Sequence, residues 1–513
     1  MTQVATDPGA TEPLGPARQL ARGAFWSTAT WGLTTLVNLA AAVALVRLMS
    51  RGQYGSFATA SAAISVLAIV TGFGLGPAVA QLGAAERTRE GDDGLRAVAA
   101  TALRGARRVA VVSLAAGGAV ALVLLRETTL RAHPVVGTVL LMAPVAALTP
   151  LITTCASLLR LTYRPAVLTA VSVLPVALQG AFIAVVAGSG HRSAAAMGLA
   201  KSIAVVVGAG VTVAVMRPWT RGLVQHPGVS WRTLLPFGGA MLLTGVFATA
   251  VSQLDVLILG ATRGSQAVGL YQPASRLIDV LVGLPILVGA FFLPIVAGVA
   301  ARQDHKAVGQ LYHWASRWSL AVCAPALGVV IVQPTTVLRL VFGSGFAGLG
   351  TPTRVLAAGA VVHIGFGLNG LTLDSYGLAW LVTRRLIASL AVSVASCAVL
   401  IPLFGILGAA EATAIGLTTA NLLCSMQLWR RFGVGPWDRA GVITVLSFGA
   451  SLALAAGASG LVGPAVLRCA VTVVVVGVVT FTSALVAGGP SDQRAVAAEW
   501  RRVRGLITGE AGP

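Results

Sequence analysis

Charged residues are scarce in this chain of 513 residues, where Asp, Glu, Lys and Arg together make up 10%. A soluble protein has roughly 25% charged residues, so a soluble enzyme is excluded. The mean hydropathy of +0.86 also excludes a disordered chain. Cysteine is scarce as well. Each of the five cysteines lies alone in an apolar run, and without a Cys-x-x-Cys pair there is no zinc or redox motif.

Acidic residues are few, at 16 against 36 basic ones, which gives a net charge of +20. In a soluble protein this excess would suggest nucleic acid. In an apolar chain it indicates Lys and Arg that face an anionic inner leaflet, so we expect the lipid bilayer as a partner and no nucleic acid. Residues 1–22 lack the apolar region of a cleavable signal, and we expect a disordered cytoplasmic tail there.

The apolar segments predict about fourteen membrane-spanning helices, since each has the roughly 20 residues that a span needs. Their apolar runs are continuous and not alternating, which favours helices over a β-barrel. The fold class is therefore an all-α polytopic membrane protein. We expect the spans near residues 24–46, 54–83, 103–125, 135–159, 166–187, 194–215, 234–260, 266–299, 308–333, 352–379, 385–403, 407–429, 440–462 and 465–488.

The basic residues predict the orientation of these spans. With a cytoplasmic N-terminus, 25 Lys and Arg fall on the inner side and 10 on the outer side, which is the usual bias of membrane proteins. We therefore expect both termini in the cytoplasm and a location in the plasma membrane, the inner membrane of bacteria. Residues 490–513 are expected to form a basic cytoplasmic tail, in which Ser491–Arg504 predicts a short amphipathic helix lying on the cytoplasmic leaflet.

An internal repeat links the start of the second span to the start of the eighth. Gly55, Phe57, Ala60 and Ser61 align with Gly269, Tyr271, Ala274 and Ser275, and Arg-Gly precedes both copies. The copies lie six spans apart, so they have the same orientation and indicate two six-helix lobes with substrate held between them. We expect the lobes at 23–216 and 233–430, a cytoplasmic linker at 217–232, and two further helices at 431–489.

Charged residues inside the spans are the candidate functional residues, because each costs roughly 2.5–3.5 kcal/mol at the centre of a membrane helix. Arg276 and Asp279 lie three residues apart on span eight. They predict either a self-neutralising pair at a bend or a cavity arginine for phosphate, oriented by Asp279. Lys201 and Arg317 are further cavity candidates. No cofactor, metal site or catalytic constellation is expected.

Asp255 and Asp374 are the remaining acidic candidates, for charge pairing or ion coupling. Asp255 is expected near the outer end of span seven, where its carboxylate can reach the membrane surface. Asp374 is expected near the inner end of span ten. The polar stretch 84–108 predicts either a solvated helical face or an entry funnel for an anionic headgroup.

Several of these segments resemble the Wzx-type polysaccharide exporters, within the multidrug/oligosaccharidyl-lipid/polysaccharide (MOP) superfamily. The resembling segments are Arg22–Trp26, Arg47–Ser50, Tyr54–Phe57, Leu254–Gly260, Val268–Tyr271, Ala274–Arg276, Val341–Phe346, Ile401–Gly405 and Gly408–Ala410. The resemblance implies a V-shaped pair of six-helix lobes, like that of MATE transporters, plus two extra helices. Glu411 departs from the family pattern, so no role is carried over to it.

The resemblance also implies the transfer of polyprenyl-diphosphate-linked oligosaccharides to the outer leaflet. Arg276 would bind the diphosphate, with Lys201 and Arg317 as helpers, and a polysaccharide polymerase and glycosyltransferases would be partners. A multidrug or cation antiporter of the same fold is the alternative, with Asp255 and Asp374 as its ion site. A membrane-embedded glycan polymerase or ligase is a remote third, because the outer loops are short and lack catalytic clusters.

Overall fold

The computed structural model describes residues 16–124, 134–161, 165–220, 227–376, 379–490 and 492–494. Within them the chain is helical, with one short 3-10 turn (Ser344–Leu349) and no strand. The first lobe contains α1 (Pro16–Leu48), α2 (Arg51–Gly72), α3 (Leu75–Leu124), α4 (Pro134–Leu141), α5 (Ala143–Leu161), α6 (Pro165–Gly188) and α7 (Ala194–Thr220).

The rest of the described chain forms the second lobe and two C-terminal helices. The second lobe contains α8 (Trp231–Gly283), α9 (Ile286–Ala300), α10 (His305–Val332), α11 (Pro334–Phe342), α12 (Gly350–Gly365), α13 (Asn369–Ser375), α14 (Ala379–Phe404) and α15 (Ile406–Phe432). Next come α16 (Arg439–Gly460) and α17 (Ala465–Ala487), which pack against each other and against α10.

Short polar side chains begin several of these helices. The Ser50 hydroxyl accepts a hydrogen bond from the Gln53 amide at the start of α2. Asp304 and Asp438 cap α10 and α16 in the same way. Each cap satisfies a backbone N–H that has no partner inside its helix, which stabilises the start of that helix.

Twelve segments of the described residues are long and apolar enough to cross a membrane. Two of them are much longer than the roughly 20 residues that one crossing needs: Arg51–Val120, with 70 residues, and Met241–Gly283, with 43. Each contains a glycine with non-helical backbone, Gly91 (φ 68°) and Gly264 (φ 78°). The all-helical membrane fold is confirmed, and the number fourteen stays a prediction.

Four of the predicted spans are interrupted, and in the fourth span a single turn residue, Met142, separates α4 from α5. The second span breaks between α2 and α3, where Phe73 and Gly74 both have positive φ angles (46° and 64°). The eighth breaks between α8 and α9 at Pro285, which cannot donate a helical hydrogen bond. The tenth breaks between α12 and α13 at Gly367 (φ 64°).

The two lobes share one hydrophobic core at the end of the molecule where α2 begins, which we call the shared end. Tyr54 and Phe57 of α2 pack there in one buried cluster with Leu259 and Tyr271 of α8. Toward the opposite end the buried side chains form two further clusters. One contains Leu82 of α3 together with Leu234 at the start of α8, and the other contains Tyr312 of the second lobe. The lobes thus share one core at the shared end, and at the opposite end the start of α8 packs on the first lobe.

The predicted segment boundaries differ from the helices in two places. The predicted tail extends to residue 22, but α1 already begins at Pro16, so residues 16–22 are helical. The linker is shorter than predicted, since α7 continues to Thr220. Its residues 227–230 pack on α3, where the Thr101 hydroxyl donates to the Val229 carbonyl over 2.9 Å. Most of the predicted amphipathic segment 490–513 lies outside the described residues.

Candidate functional site

A cavity of about 350 Å³ lies between the lobes, next to their shared core. It is lined by α1, α2, α6 and α7 of the first lobe and by α8 of the second. Its polar or charged lining residues are Trp31, Thr35, Asn38, Tyr54, Ser61, Gln179, Lys201, Gln272, Arg276 and Asp279. Two of the three predicted phosphate-binding residues, Lys201 and Arg276, therefore lie in one cavity although they belong to different lobes.

Arg276 is held by two neighbours on its own helix. Its Nη1 lies 3.3 Å from Oδ2 of Asp279, one turn further along α8. On the other side lies the Gln272 amide. With its oxygen turned toward the guanidinium, this amide accepts from Nε over 2.9 Å and from Nη2 over 3.1 Å. The spacings of i−4 and i+3 place all three side chains on one helical face. The guanidinium is thereby fixed in direction while remaining 40% exposed to the cavity.

Lys201 faces the same cavity from α7. Its ammonium group lies 5.8 Å from the centre of the Phe57 ring, a distance at which the ring face attracts a cation. The ammonium group also interacts electrostatically with Arg276. Two cations and one carboxylate, Asp279, leave the cavity with an excess of positive charge. In a low-dielectric surrounding such an excess favours the binding of an anion.

Asp255 lies outside this cavity and is buried, with only 4% of its surface exposed. Its Oδ2 accepts from the Tyr271 hydroxyl over 2.5 Å and from the Thr413 hydroxyl over 2.9 Å, and its Oδ1 accepts from the Val256 amide. The expectation that this carboxylate reaches the membrane surface is wrong, because hydroxyl groups of α8 and α15 supply its hydrogen bonds inside the protein.

Arg317 also lies away from the cavity, in α10. Its guanidinium donates to Oδ2 of Asp492, and the Trp318 indole N–H donates to the same oxygen over 3.3 Å. The side chains of Arg317 and Asp492 are only 5% and 9% exposed. The structure thus places Arg317 in a buried ion pair between α10 and the residues that follow α17, and not beside Lys201 and Arg276.

The two remaining acidic candidates are also outside the cavity lining. Asp374 is exposed at the end of α13 and interacts electrostatically with Arg385 of α14. Glu411 of α15 is half-buried. Asp279 is therefore the acidic candidate that the cavity contains. Within the described ranges, no three His, Cys, Asp or Glu side chains are grouped so that they could hold a metal ion.

Sequence reasoning missed the amide side chains of the cavity, Asn38, Gln179 and Gln272. An amide within an apolar span is the signal that could have found them, since a polar group in a membrane helix needs a partner. A second polar cluster was also missed. The Asn369 amide donates to Oδ1 of Asn421 over 3.2 Å, and Asn421 donates to His363 over 3.0 Å, beside the break in span ten.

Comparison with known proteins places the fold in a family. The model of the polysaccharide biosynthesis protein family matches residues 44–349. A protein described as the probable low-salt glycan biosynthesis flippase Agl15 of Haloferax volcanii is 24% identical over 195 residues, which are 37% of this chain and 41% of that protein. The chain therefore matches only about two fifths of that relative's length.

Solved structures of the MOP superfamily have a similar fold. The lipid II flippase MurJ in its inward closed conformation superposes with a TM-score of 0.68 at 11% identity, covering 90% of this chain and 98% of that one. An inward-facing multidrug resistance MATE family transporter gives 0.63 at 14% identity, covering 78% and 94%. A MOP superfamily transporter from Pyrococcus furiosus gives 0.60 at 12% identity, covering 82% and 96%.

The family match covers more than half of the chain, and it includes four of the five helices that line the cavity, α2, α6, α7 and α8. The resemblance that the sequence motifs indicated is therefore confirmed. This chain is a member of the polysaccharide biosynthesis protein family, and its fold is that of the MOP superfamily transporters.

Proposed function

We propose that this protein moves a polyprenyl-diphosphate-linked oligosaccharide, a precursor of a cell-surface polysaccharide, from the inner to the outer leaflet. The observation that supports this proposal most directly is the convergence of Lys201 and Arg276 on one cavity between the lobes. A diphosphate is the part of such a lipid that needs cationic partners, and guanidinium groups form strong bonds with it. The substrate leaves the protein chemically unchanged, so no catalytic residue is required.

Alternating access accounts for the movement. At the shared end the two lobes form one core, which closes the cavity there, while beyond it the buried side chains fall into two separate clusters. Separation of the lobes at the shared end and their approach at the other end would expose the cavity to the opposite side. The breaks in spans two, eight and ten supply places where the helices bend. The lipid tail stays in the bilayer while the headgroup crosses.

The membrane potential can drive this transfer. A diphosphate diester has about two negative charges, and moving each of them outward, away from the negative inner side, releases roughly 2.3 kcal/mol per 100 mV. Roughly 4–5 kcal/mol is then available without a coupling ion. This direction requires the shared end to face outward and the termini to face the cytoplasm, as the bias of basic residues favours.

A multidrug or cation antiporter has the same fold, as the similarity to MATE transporters illustrates. Its ion site would need Asp255 and Asp374. The hydrogen bonds of Asp255 are already satisfied by Tyr271, Thr413 and a backbone amide, and Asp374 is exposed at a helix end. The positive excess of the cavity also disfavours an organic cation. The flippase is therefore the better-supported proposal.

Reconstituted vesicles test the proposal. The wild-type protein is expected to move a fluorescent short-chain polyprenyl diphosphate saccharide across the bilayer, faster with an imposed potential. Arg276→Ala should slow this transfer at least tenfold, since a charged hydrogen bond is worth about 1.5–3 kcal/mol. Arg302→Ala, which removes an exposed arginine beyond α9, is the matched control. Unchanged transfer by Arg276→Ala would disprove the site.

A further inference from the structure

The hydrogen bonds of Asn421 in α15 fix the protonation state of His363 in α12. The Asn421 amide nitrogen donates to the Leu417 carbonyl over 2.7 Å, and because a carbonyl oxygen only accepts, the orientation of this amide is settled. The same nitrogen lies 3.0 Å from Nδ1 of His363. An amide nitrogen cannot accept, so Nδ1 is the acceptor and the ring is neutral, with its proton on Nε2.

His363 differs in this respect from the other histidines of the described ranges. In each of the others the bonded ring nitrogen faces a group that can accept: the Ser189 hydroxyl at His191, the Tyr376 hydroxyl at His305 and the Gly435 carbonyl at His313. Protonation of those rings is compatible with their present hydrogen bonds. At His363 it is not, because the facing nitrogen can only donate.

A second proton on His363 would bind to Nδ1 and place two donors against each other. Asn421 would then have to turn its amide group, which is only 4% exposed with its residue. At present the Asn421 Oδ1 accepts from Nδ2 of Asn369 over 3.2 Å. After the turn, the Asn421 nitrogen would face the Asn369 nitrogen, so an attractive contact between two helices would become a repulsive one.

Asn369 lies directly beside the break in span ten. It is the first residue of α13 and follows Gly367 (φ 64°) by two positions. It also donates to the Asn421 backbone carbonyl over 3.1 Å, so its side chain ties α13 to α15. On the other side of the break the Trp437 indole donates to the Gly365 carbonyl over 2.7 Å. Displacement of Asn369 would therefore loosen the break at a point that Trp437 contacts.

The charged surroundings of His363 act in the same direction. Arg385 of α14 is the described charged residue that acts electrostatically on the ring. Asp374 of α13 and Cys424 of α15 act in turn on Arg385. The helices α8, α10 and α11 also pack against α12, but none of their described titratable groups acts on the ring. A second positive charge beside Arg385 is repelled, and this repulsion weakens when the groups move apart.

We propose that His363 is a proton-binding switch for the break in span ten. With a neutral ring, Asn421 ties α13 to α15 through Asn369. With Nδ1 protonated, this tie is lost and the break loosens. Because the loosened form binds one more proton, a lower pH increases its population, by at most about tenfold for each pH unit. The switch acts within the second lobe and does not depend on which substrate the cavity binds.

Fluorine NMR of the full chain in detergent, with fluorotryptophan in place of tryptophan, tests the switch. The Trp437 signal is identified by its absence from Trp437→Phe. In the wild-type chain this signal is expected to change between about pH 8 and about pH 5. In His363→Asn it should keep its high-pH position throughout, because the new amide oxygen replaces Nδ1 as acceptor and binds no proton. A constant wild-type signal, or a wild-type response in His363→Asn, would overturn the switch.

His305→Asn and His313→Gln are the matched controls. Each amide takes the place of the ring nitrogen that is bonded now, so the existing hydrogen bond is kept and the titrating ring is removed. His313 is the more stringent control, since its partner Gly435 lies two residues before Trp437. Both variants should retain the wild-type pH response. If His313→Gln abolishes the response, the signal reports a local effect at Trp437 and the switch is disproved.

Asn421→Asp provides a second test if His363→Asn is poorly folded. Its carboxylate accepts from Asn369 and also from a protonated His363 ring, so protonation no longer conflicts with the tie between α13 and α15. The Trp437 signal of this variant should therefore remain at the position of the tied form down to about pH 5. A wild-type response in Asn421→Asp would show that protonation does not act through Asn421, which contradicts the switch.

Discussion

Gly55 and Gly269 lie face to face where the two lobes meet. A Cβ added to Gly55 would lie 1.7 Å from the Ser265 carbonyl oxygen, and one added to Gly269 would lie 1.9 Å from the Arg51 carbonyl oxygen. The contact is reciprocal: each copy of the sequence repeat contributes one glycine and one backbone carbonyl. Beside it the Ser56 hydroxyl donates to that of Ser265 over 3.0 Å. Absence of side chains lets α2 and α8 approach backbone to backbone, as in other membrane helix pairs.

Gly55→Ala and Gly269→Ala are each expected to destabilise the protein by at least about 1–3 kcal/mol, because a rigid backbone oxygen, and not a flexible side chain, occupies the space for the methyl group. Thermal unfolding in detergent, monitored by circular dichroism, measures the effect. Gly210→Ala is the matched control, since a Cβ at this glycine of α7 has no atom within 4 Å. Equal unfolding temperatures for Gly55→Ala and Gly210→Ala would contradict the close contact.

Asp255, Tyr271 and Thr413 form a hydrogen-bonded cluster, and we expect the two hydroxyl groups to contribute to stability in a coupled way. Tyr271 and Thr413 donate to the same carboxylate oxygen, and their own hydroxyl oxygens lie 3.1 Å apart. Tyr271→Phe and Thr413→Val should each lower the free energy of unfolding by about 1–3 kcal/mol, the cost of weakening a buried charged hydrogen bond.

A double-mutant cycle on these two residues distinguishes a shared network from independent contacts. The effects of Tyr271→Phe and Thr413→Val should not add, and the interaction energy should be at least about 0.5 kcal/mol. Additive effects would show that the two hydroxyls act separately. If Asp255 were instead an ion site, both variants would change the sodium or pH dependence of transport, which we do not expect for a closed structural cluster.

The buried ion pair of Arg317 and Asp492 predicts that removal of either side chain destabilises the protein. Arg317→Ala or Asp492→Ala should each destabilise the protein by about 3–5 kcal/mol, because the remaining charge stays buried without its partner. The double variant Arg317→Met/Asp492→Leu should recover much of this loss. Thermal unfolding measures stability, and vesicle flipping is measured in parallel.

The same variants test whether Arg317 contacts substrate. The double variant keeps the fold without the guanidinium, so it should flip lipid at close to the wild-type rate. If the double variant is stable but has lost flipping, Arg317 takes part in substrate handling after all, and the ion pair with Asp492 is then not its main role.

The placement of Lys201 and Arg276 was predictable because a charge in a membrane helix is expensive and must face a cavity or a partner. The helical architecture followed from the apolar runs for a similar reason. By contrast, the partner of Arg317 lies 175 residues later in the chain, and no local pattern relates the two positions. The hydroxyls that satisfy Asp255 likewise come from two separate helices. Such partners depend on tertiary packing, which sequence periodicity does not specify.

The helix breaks were only partly predictable from the sequence. Glycine or proline lies at the breaks near Phe73 and at Pro285, but Pro273 within α8 leaves its helix uninterrupted. The difference depends on what the released backbone groups contact. At the break in span ten the Tyr312 hydroxyl donates to the Phe366 carbonyl over 2.6 Å and the Trp437 indole donates to the Gly365 carbonyl over 2.7 Å.

Two arginines at the shared end, Arg47 and Arg51, form hydrogen bonds that hold the two lobes together there. Arg47 donates to the carbonyls of Leu340 and Val341 over 2.8 and 3.1 Å, and Arg51 donates to that of Gly345 over 3.0 Å. All three bonds run from the first lobe to the end of α11 and the turn that follows it in the second lobe. A cation is favoured there, because the carbonyls at a helix C-terminus have no partner within the helix.

The double variant Arg47→Ala/Arg51→Ala should therefore loosen this closure. Each exposed bond is worth about 0.5–1.5 kcal/mol, so the shared end should open roughly tenfold or more often. Hydrogen–deuterium exchange of residues 334–349 is expected to accelerate accordingly, while the cavity residues still bind farnesyl diphosphate. Arg339→Ala is the matched control, since Arg339 lies on α11 itself and makes no inter-lobe bond in the described part of the chain. Equal exchange in the double variant and in Arg339→Ala would show that α2 and α8 hold the lobes together without the two arginines.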